Sequence, residues 1–224
     1  FPHSTCRIIG QHALCGKENL IVSEYKNDME QTYSDMKQKH LVLKRLKDVF
    51  ENPIQVGTFE SDDEQASVEI VICQDSPFEG VTSYSTLGVY QCPNLLTADN
   101  KELNVEFMGI CDSRNNWFDG LLSTCAFAMI KGKVRAHPYE VYKDIIPIYQ
   151  PNIDMKHILL IPPFSLNHDL GVIETDNRVI TWLMLNPISE NEYDFMRKNG
   201  HQKLIDAFVE TNIDIYDLYR KSIF

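Results

Sequence analysis

No stretch of this chain approaches the roughly 18 consecutive apolar residues of a membrane-spanning helix. Its longest apolar runs, such as Ile158–Pro163, are strand-sized. None of the cysteines (Cys6, Cys15, Cys73, Cys92, Cys111, Cys125) forms a C-x-x-C pair, and no Cys/His spacing matches a zinc site. The sequence also lacks G-x-S-x-G, a Walker-type loop, G-x-G-x-x-G and H-E-x-x-H. Phe1–Gly16 has neither the basic start nor the apolar centre of a secretory signal. A chain opening on Phe1 rather than Met is expected to be a processed or partial form. The expected compartment is the cytoplasm, with the cysteines as buried thiols rather than disulfides.

Positive charge is scarce as well. Residues 1–57 carry 8 basic and 7 acidic groups, whereas residues 58–224 carry 13 basic and 25 acidic. The net charge of −11 therefore belongs to the later part. Such a field repels nucleic-acid phosphates and draws basic partners from a distance. Plain solubility is the competing reading of the same charge.

What is present is a patterned globular chain of 224 residues, long enough for one large domain with a sizeable core. Val42, Leu46, Val49 and Phe50 make one apolar helical face, which Asn52-Pro53 ends. Upstream, Phe1–Val22 has no clear periodicity, and Tyr25–His40 is a polar extension of that helix. From Ile54 the pattern turns to strands: Ile54–Phe59, an alternating run around Val68, Ile70 and Ile72, Val81–Tyr90, and Leu103–Cys111. A helix is expected from Trp117 to about Lys131, stopped by Gly132. Two further strands, His157–Ile161 and Arg178–Leu185, lead to the capping box Ser189-x-x-Glu192. That box opens a helix closed by Gly200, followed by a second helix over His201–Thr211 and a short third over Asp214–Lys221. The predicted class is α+β, with a mainly antiparallel or mixed sheet flanked by helices.

Side chains with catalytic potential are scattered. His137, His157, His168 and His201 have no ligand partner at helical or hairpin spacing, so each reads as solvated or core-edge rather than catalytic. Cys125 lies on an apolar helical face and reads as a buried thiol. Tyr84, Tyr90 and Trp117 could line a pocket, but core aromatics are the commoner outcome. No cofactor and no metal are expected.

Several blocks resemble one known family. Pro77-Phe78-Glu79-Gly80-Val81-Thr82-Ser83-Tyr84-Ser85-Thr86-Leu87-Gly88 is similar to the strand motif of suppressor-of-fused domains, in which an aromatic and a small polar residue precede a conformationally permissive glycine. His157-Ile158-Leu159-Leu160, Trp182-Leu183, Pro187-Ile188-Ser189, Glu192 and Gly200 resemble the C-terminal signature in the same order. The helix from Trp117 fits the family's central helix, and the likeness spans about Leu41 to Arg220. Residues 1–40 depart from it and are expected to be an extension to a domain at 41–224.

The animal Hedgehog-pathway regulator of that family carries an additional C-terminal domain. A single domain instead resembles the bacterial branch, whose members are regarded as immunity proteins, or antitoxins. The resemblance thus implies a non-catalytic protein that binds and neutralises a cognate toxin, a basic nuclease being one candidate. The alternative is an intracellular regulator that sequesters another protein, such as a transcription factor; an enzyme with a site not visible as a motif is a third reading. Candidate partner-binding residues are Asp62, Asp63 and Glu64, then Asp75, Glu79 and Tyr84, then Glu190, Asp194, Glu210, Asp214 and Asp217. The expected partner is a protein toxin, not nucleic acid or membrane, and the sequence leaves the oligomeric state open.

Overall fold

A computed structural model describes residues 32–164, 166 and 169–224. The expectations for Phe1–Val22, Cys6, Cys15 and His168 lie outside the described residues. The chain falls into two compact units, of which the first contributes residues 32–40 to the description and the second is Leu41–Phe224. Helix α1 is the helical run at 32–50, and its residues 41–50 belong to the second unit.

The second unit then runs β1 (Ile54–Glu60), β2 (Ser67–Gln74), β3 (Val81–Leu87), β4 (Leu96–Ala98), β5 (Lys101–Asp112), α2 (Phe118–Ile130), β6 (Val141–Tyr142), β7 (Met155–Ile161), β8 (Ile173–Glu174), β9 (Arg178–Ser189), α3 (Glu190–Asn199) and α4 (His201–Thr211). The strands form one mixed sheet in the order β1-β2-β3-β5-β9-β7-β6, with β4 on β5 and β8 on β9. Every pairing is antiparallel except β5 with β9. A parallel pair cannot be joined by a tight turn, and here the connection runs through α2, β6, β7 and β8. The architecture is α+β, as the sequence pattern predicts.

Both faces of the sheet are covered, which is why the central strands read as apolar runs. Val105 and Phe107 of β5 and Leu183 and Leu185 of β9 pack with Leu121, Leu122 and Cys125 of α2. Their neighbours Met108, Ile110, Trp182 and Met184 join the opposite layer, with Val42, Leu46, Val49 and Phe50 of α1 and Leu204 and Phe208 of α4. Each such side chain is worth about 1.5–3 kcal/mol when removed from water. Gly109 lets α2 sit close: a Cβ there would lie 2.2 Å from the Phe118 ring. Cys73, Cys111 and Cys125 are buried free thiols, and burial pushes the Cys125 thiol up, away from the reactive thiolate.

Two buried carboxylates tie distant segments together. Gly88, at φ +117°, ends β3 three residues earlier than the pattern predicts and turns Val89–Gln91 into a 3-10 turn. Its geometry aims the N–H groups of Gly88, Val89 and Tyr90 at Glu106 of β5, 2.5 to 3.5 Å away, while the Thr86 hydroxyl donates to the same carboxylate. Nearby, the Trp182 indole donates to Ser85 at 3.1 Å, joining the two sequence blocks that carry the resemblance.

The other carboxylate is Glu192. It completes the predicted capping box with Ser189 and accepts a bidentate pair from Arg220, at 2.6 and 2.9 Å. Arg220 also donates to the carbonyl of Pro187, through which β9 continues to Ser189, beyond the predicted end at Leu185. Residues 214–221 form turns rather than the expected short helix. Asp214 accepts from the Tyr216 and Asp217 N–H groups, and Asp217 from that of Tyr219, so side chains compete for the donors a helix would use.

Glu192 is fully buried and Arg220 nearly so. Replacing the arginine alone, as in Arg220→Met, strands a buried carboxylate and is expected to cost about 3–5 kcal/mol in urea unfolding. Pairing it with Glu192→Gln should recover much of that loss. Burial pushes Glu106 up from its usual 4.5 to about 7, against its four donors. A raised folded-state value means that the stabilisation is complete below pH 4.5 and is lost as pH rises through 7, on the order of 3 kcal/mol. Melting curves from pH 5 to 8 should therefore show the wild type falling relative to Glu106→Gln, while parallel curves would contradict this.

Candidate functional site

Side-chain periodicity buries Leu204 and Phe208 of α4 in the core but leaves Val209 on its outer side, 74% exposed. The helix ends at Asn212 in the left-handed conformation, and the chain doubles back through Ile213, Ile215 and Tyr216. Across from this wall, Pro162-Pro163 stops β7 and holds Phe164 outward, half exposed. Between the two walls lies an open groove of about 870 Å³, its lining completed by Tyr139, Ile161 and Asn186. The Tyr139 ring stacks on His201 at 3.8 Å.

Asn186, Asn212 and Asp214 are the polar residues in this mainly apolar lining, and of the three only Asn186 is buried. It sits in β9 opposite Leu159, is 4% exposed, and its Nδ2 has no hydrogen-bond partner among the described residues. A buried donor left unmet costs about 1–3 kcal/mol.

Asp214 lines the groove, and the segment around it is acidic. No basic residue occurs between Lys203 and Arg220, a span holding Asp206, Glu210, Asp214 and Asp217, all exposed. Phe78 of the β2–β3 turn meets Tyr216 edge-on, with ring centroids 5.2 Å apart. That contact brings the exposed Glu79 to the same end of the sheet as Asp214 and Asp217. Asp75, in the same turn, accepts the Gly80 N–H at 2.9 Å.

The remaining candidate residues lie elsewhere. Asp62, Asp63 and Glu64 are exposed in the β1–β2 turn, at the C-terminal end of α2. There the Lys131 ammonium, helped by the Ser61 hydroxyl, holds the Asp63 carboxyl well below the usual carboxylate range. Tyr84 is 6% exposed and packs on Phe118, so its ring belongs to the core and is not available to a partner. Glu190 and Asp194 are exposed on α3. Glu190 is partly committed, because it accepts a hydrogen bond from His157 Nε2 at 3.0 Å.

His157 is more than the core-edge residue its isolation in sequence suggests. It is fully buried, its Nδ1 accepts the Asp144 N–H at 3.0 Å, and Tyr193 meets its ring edge-on. Asp144, His157 and Glu190 are the one group of metal-ligand composition among the described residues. Both imidazole nitrogens are already engaged, which makes the trio a lock joining β7 to α3.

Sequence reasoning missed Asn186, Val209, Phe164 and Arg220. The signals were weak: one polar residue inside an apolar strand, a Pro-Pro-Phe run, and a mixed apolar and acidic run from Ile213 to Asp217.

Comparison with known proteins agrees with this architecture. Residues 64–221 match the family model described as Suppressor of fused protein (SUFU). The immunity protein YqcF of Bacillus subtilis (strain 168) is 36% identical over 169 residues, 75% of this chain and 88% of that protein. A crystal structure of a putative SUFU homologue from Neisseria gonorrhoeae FA 1090 superposes with a TM-score of 0.63 at 19% identity, over 84% of this chain and 97% of that one. A chain of the Sufu-Fu complex crystal structure gives 0.55 at 10% identity, over 83% and 91%. Those two superpositions speak for the fold alone. The family model, over residues 64–221, and the Bacillus relative, over three quarters of the chain, make this chain a member of the suppressor of fused family.

Proposed function

We propose that this protein is an immunity protein, which binds a cognate protein toxin and neutralises it without chemistry of its own. The observation that carries the reading is the 36% identity to a protein named for immunity, across three quarters of the chain. Leu41–Phe224 is the binding domain in this proposal, and the cytoplasm is where it would meet its toxin.

The physical features fit that role. The buried carboxylates and the buried histidine already have partners inside the fold: Glu106 with a 3-10 turn, Glu192 with Arg220, His157 with Glu190. The accessible features are an apolar groove and a surplus of acid. A net charge of −11 favours a basic partner, steering encounter and raising the association rate at low salt. Occlusion of the toxin's functional surface then needs only a tight complex, anchored by a few well-packed side chains.

The test is titration of a candidate toxin, the purified product of an adjacent gene. Its activity should fall linearly and vanish at one equivalent of the full chain, and co-expression should protect cells. Inactivation by a small fraction of an equivalent would point to catalysis instead, and no protection would remove the immunity reading. Raising salt from about 50 to 500 mM should slow association by about tenfold or more, while dissociation changes less. An association rate indifferent to salt would contradict a basic partner.

A further inference from the structure

We infer that the groove beside α4 takes a short apolar segment of the partner flanked by lysine or arginine, one of whose backbone carbonyls accepts the Asn186 amide. The inference deepens the immunity reading and rests on it. Three independent features point to this occupant. The groove is mainly apolar and, at about 870 Å³, lies within the usual range of about 300–1,000 Å³ for a binding cleft. Val209 and Phe164, on its two walls, are a large exposed aliphatic and a large exposed aromatic group.

The second feature is the unmet Asn186 donor. A buried amide N–H that lines a groove asks for an acceptor, and an entering peptide carries one at every residue. A carboxylate would also accept, but the third feature disfavours it. Between Lys203 at the start of α4 and Arg220, Asp206, Glu210, Asp214 and Asp217 supply four negative charges and no positive one, with Arg114 beside Asp217 the basic neighbour. An anionic ligand is repelled there, and an apolar core with basic flanks is favoured at both levels, burial within and attraction at the rim.

The probes are two capped hexapeptides with one apolar core, Leu-Phe-Leu-Ile between two lysines or between two glutamates, titrated into the isotope-labelled full chain by NMR. The lysine peptide should shift resonances of residues 161–164 and 205–216 and the Asn186 side-chain amide. It should bind about tenfold or more tightly than the glutamate peptide at low salt. Val209→Lys, an exposed substitution that adds the wrong charge, should weaken it by about tenfold. Asp214→Asn keeps the acceptor for the Tyr216 N–H and should weaken it by about threefold. Asp62→Asn, in the distant β1–β2 turn, should leave it unchanged. Equal binding of both peptides, or shifts outside the groove, would overturn the inference.

The toxin supplies the second arm. If the wild type and Val209→Lys protect equally, the groove inference falls and the immunity reading stands. Loss of protection with Val209→Lys alone supports both. Should the wild type itself fail to protect, the immunity reading falls, and the peptide titration still decides the groove.

Discussion

The Glu192–Arg220 pair is the constraint on which the exposed architecture depends. Glu192 has no solvent of its own, so its charge is tolerable only with the guanidinium in place and the Ser189 N–H beside it. The same arginine reaches back to Pro187 and lies over the Phe208 ring at 5.2 Å. One ion pair therefore fixes the end of β9, the start of α3, the core side of α4 and the return of the last residues. The groove wall formed by Ile213–Tyr216 is the stretch held between α4 and this anchor. Ser222, bonded to Ser189 at 2.7 Å, fastens the chain just beyond it.

A rigid anchor next to an unfinished surface is a sensible division for a binding protein. The sheet, covered on both faces, supplies stability. The groove supplies groups that the fold leaves incompletely satisfied, namely an amide with no partner among the described residues and exposed Val209 and Phe164. Charge and apolar area also have different duties. In the proposed complex, acid at the rim would govern how fast and with what it forms, while a few desolvated contacts would govern how long it lasts.

Much of the fold is legible from local chemistry. The α1 stripe, the Ser189 capping box, the stop at Gly132 and the strand pattern of β2 and β5 are set by residues adjacent in sequence. Local rules fail where distant residues intervene. Gly88 cuts β3 short because Glu106, on another strand, waits for the N–H groups it frees. Pro187 stays in β9 because Arg220 takes its carbonyl, and Asp214–Lys221 forgoes a helix for side-chain-capped turns. The candidate site was less visible. Acidic residues in sequence do not say which face they share, so Asp62–Glu64 and Asp214–Asp217 looked equivalent, yet they lie at separate turns. Tyr84 resembled a pocket residue only because burial cannot be read from an aromatic in a strand.

Hydrogen–deuterium exchange of the full chain, alone and with the toxin proposed as its partner, tests the central claim most directly. The account predicts new protection at residues 161–164 and 205–216, with little change in the β1–β2 turn. Protection confined to that turn or to α2, with the groove exchanging as in the free protein, would contradict it.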